Sequence, residues 1–352
     1  LIINSLGIVQ QAKLTIELNF KQQAIASFIA VVISGIIGVI LAYQDFGVWT
    51  LVIQSLTSNL LRVVLLWIFA HWKPIPHFSK NSFTTMFSFG SRLLLSSLLH
   101  TTYTNLYSLV IGRRFAPVEL GLYNRATTIA QFPSNNLAAV IVRAIYPIQC
   151  RIQDDSPALK DLFIKYLRMS CYIIFPLMTI LCVLAEPLVK IILTEKWLPA
   201  VPLIQILCLA YMWDPVMKIN NSLLNVKGRS DYFLYAEIIK KIVALIILIV
   251  TLQFNVRIMC LGLILYALAD MLIISLYVRK TISITIKEQI KALFPILMLS
   301  AILGLVSYIT TMLTNSPWLQ LLGGFTTGSI TYLGISYYFN SNELNTLLHF
   351  KL

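Results

Sequence analysis

The chain has 352 residues, 58% of them hydrophobic and only 12% charged, with a mean hydropathy of +0.81. Water-soluble domains run at about 45–50% apolar and about 25% charged. These figures exclude an ordinary soluble domain, a disordered chain, a disulfide scaffold and a secreted enzyme, and they describe an integral membrane protein. The net charge of +13 fits Lys and Arg gathered in cytoplasmic loops better than a nucleic-acid partner.

The chain opens on Leu1 with no charged region ahead of a short apolar core, so no signal peptide is expected. Leu1–Val9 reads as the stub of a membrane helix. Ten apolar stretches follow, near 24–43, 47–70, 84–112, 121–149, 164–194, 199–222, 231–252, 256–278, 291–312 and 318–339. Each is long enough to cross about 30 Å of hydrocarbon, which takes about 20 helical residues. The gaps between them are too short for an extramembrane catalytic domain. The expected fold is all-α, because open sheet edges do not survive in lipid.

One set of alternate gaps, from Lys13 and Lys73 to Lys351, holds fifteen basic residues; the other holds Arg113, Arg114, Lys196 and Arg257. The first set and the C-terminus are therefore expected in the cytoplasm. On the outer side Gly47, Gly121 and Gly262 each follow a turn and open an inward helix, where glycine is expected to let the chain reverse tightly. Cys150, Cys171, Cys182, Cys208 and Cys260 stand far apart, with no paired spacing for zinc or redox chemistry.

Two stretches carry an unusual polar load. In 84–112 every fourth residue is polar: Ser88, Arg92, Ser96, His100, Thr104 and Ser108. A step of four turns the helix by about 400°, so these side chains form one slowly winding stripe. In 121–149, Asn124, Thr128, Gln131 and Asn135 share a narrow face. Ser, Thr, Asn and Gln can simply bind helices together. Arginine in hydrocarbon is costlier and marks a substrate path by default. Arg92, Arg125 and Arg143 are accordingly the candidate cavity cations, although the last two lie near helix ends and can snorkel.

Glu186 with Lys190, Asp214 with Lys218, and Glu237 with Lys241 are spaced for pairing along a helix. Asp214 is a partial exception. It precedes Pro215 in mid-span, where proline frees a backbone carbonyl, and a broken helix bearing a carboxylate is a way to build an ion site. Asp270 has no partner at helical spacing; it is either a second coupling carboxylate or a residue hydrogen-bonded between helices. Pro133 and Pro176 mark expected kinks, and Gly324 with Gly328 suits close helix contact. His71, His77, His100 and His349 are scattered, and no nucleotide loop, hydrolase elbow or metal motif occurs. No enzyme activity, cofactor or metal is expected.

Several segments together resemble the bacterial polysaccharide-biosynthesis flippases, the O-antigen and exopolysaccharide branch of the multidrug/oligosaccharidyl-lipid/polysaccharide exporter superfamily. They are Phe46-Gly47-Val48-Trp49-Thr50-Leu51-Val52, Ser88-Phe89-Gly90-Ser91-Arg92, Gly121-Leu122-Tyr123-Asn124-Arg125-Ala126, Gln131-Phe132-Pro133 and Tyr146-Pro147 with Arg151-Ile152-Gln153-Asp154-Asp155. Ala185-Glu186-Pro187-Leu188, Glu195-Lys196-Trp197-Leu198-Pro199-Ala200, Gly228-Arg229-Ser230-Asp231 and Glu237-Ile238-Ile239-Lys240-Lys241 continue the likeness.

The resemblance implies two six-helix lobes around a central cavity, a MATE-like arrangement, with an extra helix pair. On that mapping residues 1–72 hold the remainder of an incomplete first lobe, starting late in its fourth helix. Residues 84–280 hold the second lobe, 291–340 the added pair and 341–352 a cytoplasmic tail; a chain lacking the first helices is expected not to transport alone.

The implied activity is movement of undecaprenyl-pyrophosphate-linked oligosaccharide across the inner membrane by alternating access. Arg92 and Arg125 map to cationic cavity residues that would meet the pyrophosphate, with Arg143 added from its own position in the helix. Ser96, His100, Thr104, Asn124, Thr128, Gln131 and Asn135 would line the sugar path; the resemblance supplies no counterpart for Asp214 or Asp270, which stay candidates for ion coupling from their own positions alone. The expected partners are membrane lipids, a polysaccharide polymerase and glycosyltransferases. The rivals are a drug/cation antiporter of the same superfamily and a membrane polysaccharide polymerase or ligase.

Overall fold

A computed structural model describes residues 2–72, 78–339 and 343. Lys73, His77, His349, Lys351 and the 341–352 tail apart from Glu343 lie outside the described residues. Among the described residues all regular structure is helical. The chain forms two compact units, residues 1–80 and 81–352.

In the first unit α1 (Ile2–Ser5) and α2 (Ile8–Ile16) precede a hairpin of α3 (Phe20–Tyr43) and α4 (Trp49–Ala70). The Asn19 side chain accepts from the Gln22 amide at 3.3 Å and caps α3. The buried residues of α3 are Ala26, Ala30, Ser34 and Gly38, one at every fourth position. Lipid supplies no hydrophobic drive between helices, so small side chains matter because they let backbones approach. A Cβ placed on Gly38 would stand 3.1 Å from the Gln54 side chain of α4. The hairpin turns through Asp45 and Gly47, both at positive φ. Lys13 Nζ donates to Ala70 O at 2.8 Å, tying α2 to the end of α4.

The second unit contains α5 (Lys80–Arg114, shared at its first residue with the unit boundary), α6 (Pro117–Arg151), α7 (Ser156–Val183), α8 (Ala185–Ile192) and a 3₁₀ turn at Glu195–Ala200. It continues through α9 (Val201–Tyr211), α10 (Asp214–Val226), α11 (Ser230–Thr251), α12 (Val256–Ile282), α13 (Ile286–Met312) and α14 (Pro317–Tyr338). Its core is formed by α6, α7, α9, α10 and α12.

Two stretches read as continuous spans are interrupted. The stretch 164–194 breaks at Leu184, where Pro187 withholds the N–H that the Val183 carbonyl would otherwise receive. The stretch 199–222 breaks at Met212–Trp213, because Pro215 likewise offers nothing to the Tyr211 carbonyl. Pro133 and Pro176, by contrast, lie inside the continuous helices α6 and α7.

The expectation for the three outer glycines holds at only one of them. Gly47 sits at φ +54, but Gly121 and Gly262 lie inside α6 and α12. Gly262 serves contact rather than reversal: a Cβ there would stand 2.9 Å from Ile247 of α11. Gly324 and Gly328 fill the close-contact role read from their spacing. Ser307 Oγ of α13 donates to Gly324 O at 2.9 Å, and a Cβ on Gly328 would collide with that hydroxyl.

Among the described residues six segments are long and apolar enough to cross a membrane: Phe20–Tyr43, Trp49–Ala70, Ser156–Val183, Glu195–Val226, Val256–Ile282 and Ile286–Met312. The other four sequence-read stretches fall on α5, α6, α11 and α14; α11 is as apolar as the six but carries Glu237, Lys240 and Lys241. Even so, α11 turns Ile238, Ile242, Leu245 and Ile249 outward as an exposed apolar stripe.

Deep in this unit the amides of Asn220 and Gln289 exchange hydrogen bonds at 3.1 and 3.3 Å, and Ser275 Oγ donates to Gln289 Oε1 at 3.3 Å. All three residues are fully buried, so the trio joins α10, α12 and α13 without help from water. Gln289→Leu leaves two buried polar groups unsatisfied, an expected destabilisation of about 1–3 kcal/mol. Thermal unfolding of the detergent-solubilised protein checks this, and an unchanged melting temperature contradicts it.

Candidate functional site

A cavity of about 480 Å³ lies within the second unit, between α5, α6, α9, α10, α11 and α12. Its floor is set by the helix break. The broken segment turns Tyr211 and Asp214 toward the space, and Trp213 behind them packs edge-on against Phe175 of α7 at 5.4 Å between ring centres. Ser134 Oγ of α6 lies 2.7 Å from Tyr211 O and 3.0 Å from Asp214 Oδ2. One turn further along α10, Lys218 Nζ donates to Asn135 Oδ1 at 2.6 Å and to Asn135 O at 3.0 Å.

The opposite wall is charged but internally balanced. Lys240 of α11 is 1% exposed; its ammonium contacts the Glu237 carboxylate one turn earlier and stands 3.1 Å from Asp270 Oδ1 of α12. Lys241 lies 3.6 Å from Glu237, donates to Tyr266 Oη at 2.8 Å and approaches His100 Nδ1 of α5 to 3.3 Å. It also sits 4.8 Å from the centre of the Tyr103 ring, within cation–π range. Two carboxylates and two ammonium groups thus sum to zero in a region where each unpaired ion would cost several kcal/mol. Between the charged walls lie the tyrosines Tyr103, Tyr107, Tyr123, Tyr211 and Tyr266.

Of the residues singled out in the sequence, Ser96, His100, Gln131, Asn135, Asp214 and Asp270 meet at this cavity. Asn124 and Thr128 are exposed on the same α6 face but nearer its start; Asn124 Oδ1 accepts from Ser108 at 3.2 Å, and Thr128 donates to Asn124 O. Thr104 lies in α5, and its side chain is outside the described residues. Arg92, Arg125 and Arg143 are exposed and do not line the cavity. Ser96 Oγ donates to the Arg92 carbonyl, and the Arg125 guanidinium stands 5.2 Å from the Trp197 ring centre. None of the three arginines is in an ion pair with a carboxylate among the described residues.

Two of the three pairs read from helical spacing form, Glu237 with Lys241 lying at 3.6 Å. Glu186 and Lys190 do pair, at 2.7 Å. Asp214 and Lys218 do not come within 4 Å, because each has a nearer partner on α6. Of the two readings left open for Asp270, the structure supplies the inter-helix partner, Lys240. The tyrosine lining and the role of Lys240 escaped the sequence reading; an unpaired Asp270 opposite an extra lysine beside Lys241 was the available signal.

The model of the polysaccharide biosynthesis protein family matches residues 1–202, more than half of the chain. The chain belongs to this family. It is 32% identical over 184 residues to the lipopolysaccharide biosynthesis protein WzxC of Escherichia coli (strain K12), covering 52% of this chain and 37% of that one. It is 29% identical over 164 residues to the teichuronic acid biosynthesis protein TuaB of Bacillus subtilis (strain 168), covering 47% and 34% respectively. The chain therefore matches only about a third of the length of these curated relatives. Among solved structures, the lipid II flippase MurJ in its inward closed conformation superposes with a TM-score of 0.60 over 88% of this chain and 66% of that one. At 16% identity that likeness speaks for the fold alone: this family member shares an all-helical fold with the matched part of MurJ.

The charge balance around Lys240 has a measurable consequence. Lys240→Met strands Asp270 and weakens the hold on Glu237, an expected loss of about 3–5 kcal/mol. Adding Asp270→Asn to Lys240→Met should recover most of it, read as melting temperature in detergent. Equal stability of the single and double variants would show that the pair does not join α11 to α12.

Proposed function

We propose that the chain is part of a flippase that moves undecaprenyl-pyrophosphate-linked oligosaccharide units from the inner to the outer leaflet of the inner membrane. The observation that carries this reading is the cavity. A bundle with apolar outer faces holds a partly open space lined by Tyr, Asn, Gln and Ser side chains beside Asp214, Lys218, Glu237 and Asp270, and family membership ties it to polysaccharide biosynthesis. Amides and hydroxyls replace water around sugar hydroxyls, and tyrosine rings cover the apolar faces of a sugar. Gln131 and Asn135 take that role at the cavity, while Asn124 and Thr128 extend the polar track along α6.

The pyrophosphate needs cations beyond the ammonium groups of this chamber, which are held by Glu237, Asp270 and Asn135. Arg92, one turn from Ser96, and Arg125 and Arg143 on α6 are suited to it, because planar guanidinium bonds phosphate oxygens through two N–H groups at once. In this reading all ten apolar stretches cross the membrane, the C-terminus is cytoplasmic, and two lobes rock to alternate access. Direction comes from an ion gradient through Asp214 or Asp270. A polymerase and glycosyltransferases act on either side of the flipping step.

A second reading draws on one observation. Three carboxylates, Asp214, Glu237 and Asp270, line the cavity, as a drug/cation antiporter would need. Two of them are already held by Lys240 and Lys241, which favours the flippase. Cells expressing the gene should gain no resistance to cationic dyes.

The direct test is complementation of a strain deleted for the full gene. The intact gene should restore surface polysaccharide. Arg92→Ala should leave the protein inserted while reducing export at least about tenfold, the factor that about 1.4 kcal/mol of lost binding gives. Full export by that variant removes Arg92 from the substrate path.

A further inference from the structure

Ser134 has one hydroxyl hydrogen and two acceptors in reach, Tyr211 O at 2.7 Å and Asp214 Oδ2 at 3.0 Å. The carbonyl has the stronger claim. It faces Pro215, which supplies no N–H at the position where a helix would satisfy it, and its contact is the shorter. With the Ser134 hydrogen committed there, two oxygens at 3.0 Å attract only if the second hydrogen sits on Asp214. Lys218 gives the same answer independently. An ionised Asp214 would draw the ammonium one turn along its own helix, yet Lys218 spends its hydrogens on Asn135 and forms no ion pair with Asp214.

The neighbours on each packed helix do not change this. From α12 the nearest charged group is Asp270, which is held by Lys240 of α11, and Glu237 is held by Lys240 and Lys241. Paired with those ammonium groups, neither brings a free counter-charge to Asp214. From α5 the titratable groups are His100, beside Lys241, and the phenols of Tyr103 and Tyr107; α6 adds Tyr123, and α9 adds Tyr211. On α7 the contact is Phe175 against Trp213, which carries no charge.

We propose that Asp214 is protonated in this conformation, donating to Ser134 Oγ, and that it carries the proton whose movement drives the transport described above. The assignment rests on the flippase reading for its purpose, but not for its chemistry. When the cavity opens to water on one side, Asp214 gives its proton to water and becomes a carboxylate free to pair with Lys218. On the other side a hydronium ion returns the proton. Asp270, whose counter-charge is the built-in ammonium of Lys240, takes no part in the exchange.

Infrared difference spectroscopy of the full-length protein in lipid nanodiscs, titrated through neutral pH, tests this. A protonated-carboxyl band should be present, lost in Asp214→Asn and kept in Asp270→Asn. Ser134→Ala, which leaves the carboxyl in place, should shift both the frequency and the midpoint of that band. A band that survives Asp214→Asn, or that ignores Ser134→Ala, overturns the assignment. Surface polysaccharide is scored in parallel. Normal export by Asp214→Asn overturns the coupling role, whereas failure of the unaltered gene to restore export sinks the flippase reading and leaves the infrared result standing.

Discussion

Beneath this structure lies one constraint: a polar group out of water must find its partner inside the protein. Lys240 obeys it most fully. Its ammonium is shielded from solvent and bridges carboxylates on its own helix and on α12. Alone, either charge would be expelled or neutralised. Together they allow a charged wall to stand beside a cavity in an otherwise apolar bundle. The amide pair of Asn220 and Gln289 follows the same rule with neutral groups.

Backbone breaks obey it too. Proline in a helix normally leaves a carbonyl wanting, and in hydrocarbon that want is severe. At Pro215 the need is met across the helix interface by a serine, so the break becomes a place where a side chain of α6, the carbonyl of α9 and the carboxyl of α10 converge. A single proline thus both interrupts a span and gathers polar atoms at one depth of the bundle.

How much of this was readable beforehand depends on the range of the interaction. Membrane residence and the all-helical fold follow from composition. The polar faces of α5 and α6 follow from helical period, and the significance of Asp214-Pro215 from the chemistry of proline. Each of these is local. The cavity is not local: Ser96, Gln131 and Asp270 come together only through packing among several helices, and the tyrosine lining looked like ordinary apolar sequence. The arginines show the limit from the other side. Their cost in hydrocarbon marks them out in the sequence, but that cost does not say which space they face, and all three stay exposed and away from this chamber. Glycine misled for a related reason, since at Gly262 the missing side chain makes room for a neighbour and not for a turn.

Glu288 carries a different lesson. It receives the Lys160 ammonium of α7 at 2.6 Å, and it also closes the start of α13 by accepting from the Thr285 amide and hydroxyl at 2.7 and 3.0 Å. The same carboxylate is therefore both a cap and a tie. Sliding α13 along α7 by a fraction of a turn would forfeit the tie but keep the cap, whose two residues both belong to α13, so the Lys160 contact alone marks the axial register of one helix on the other.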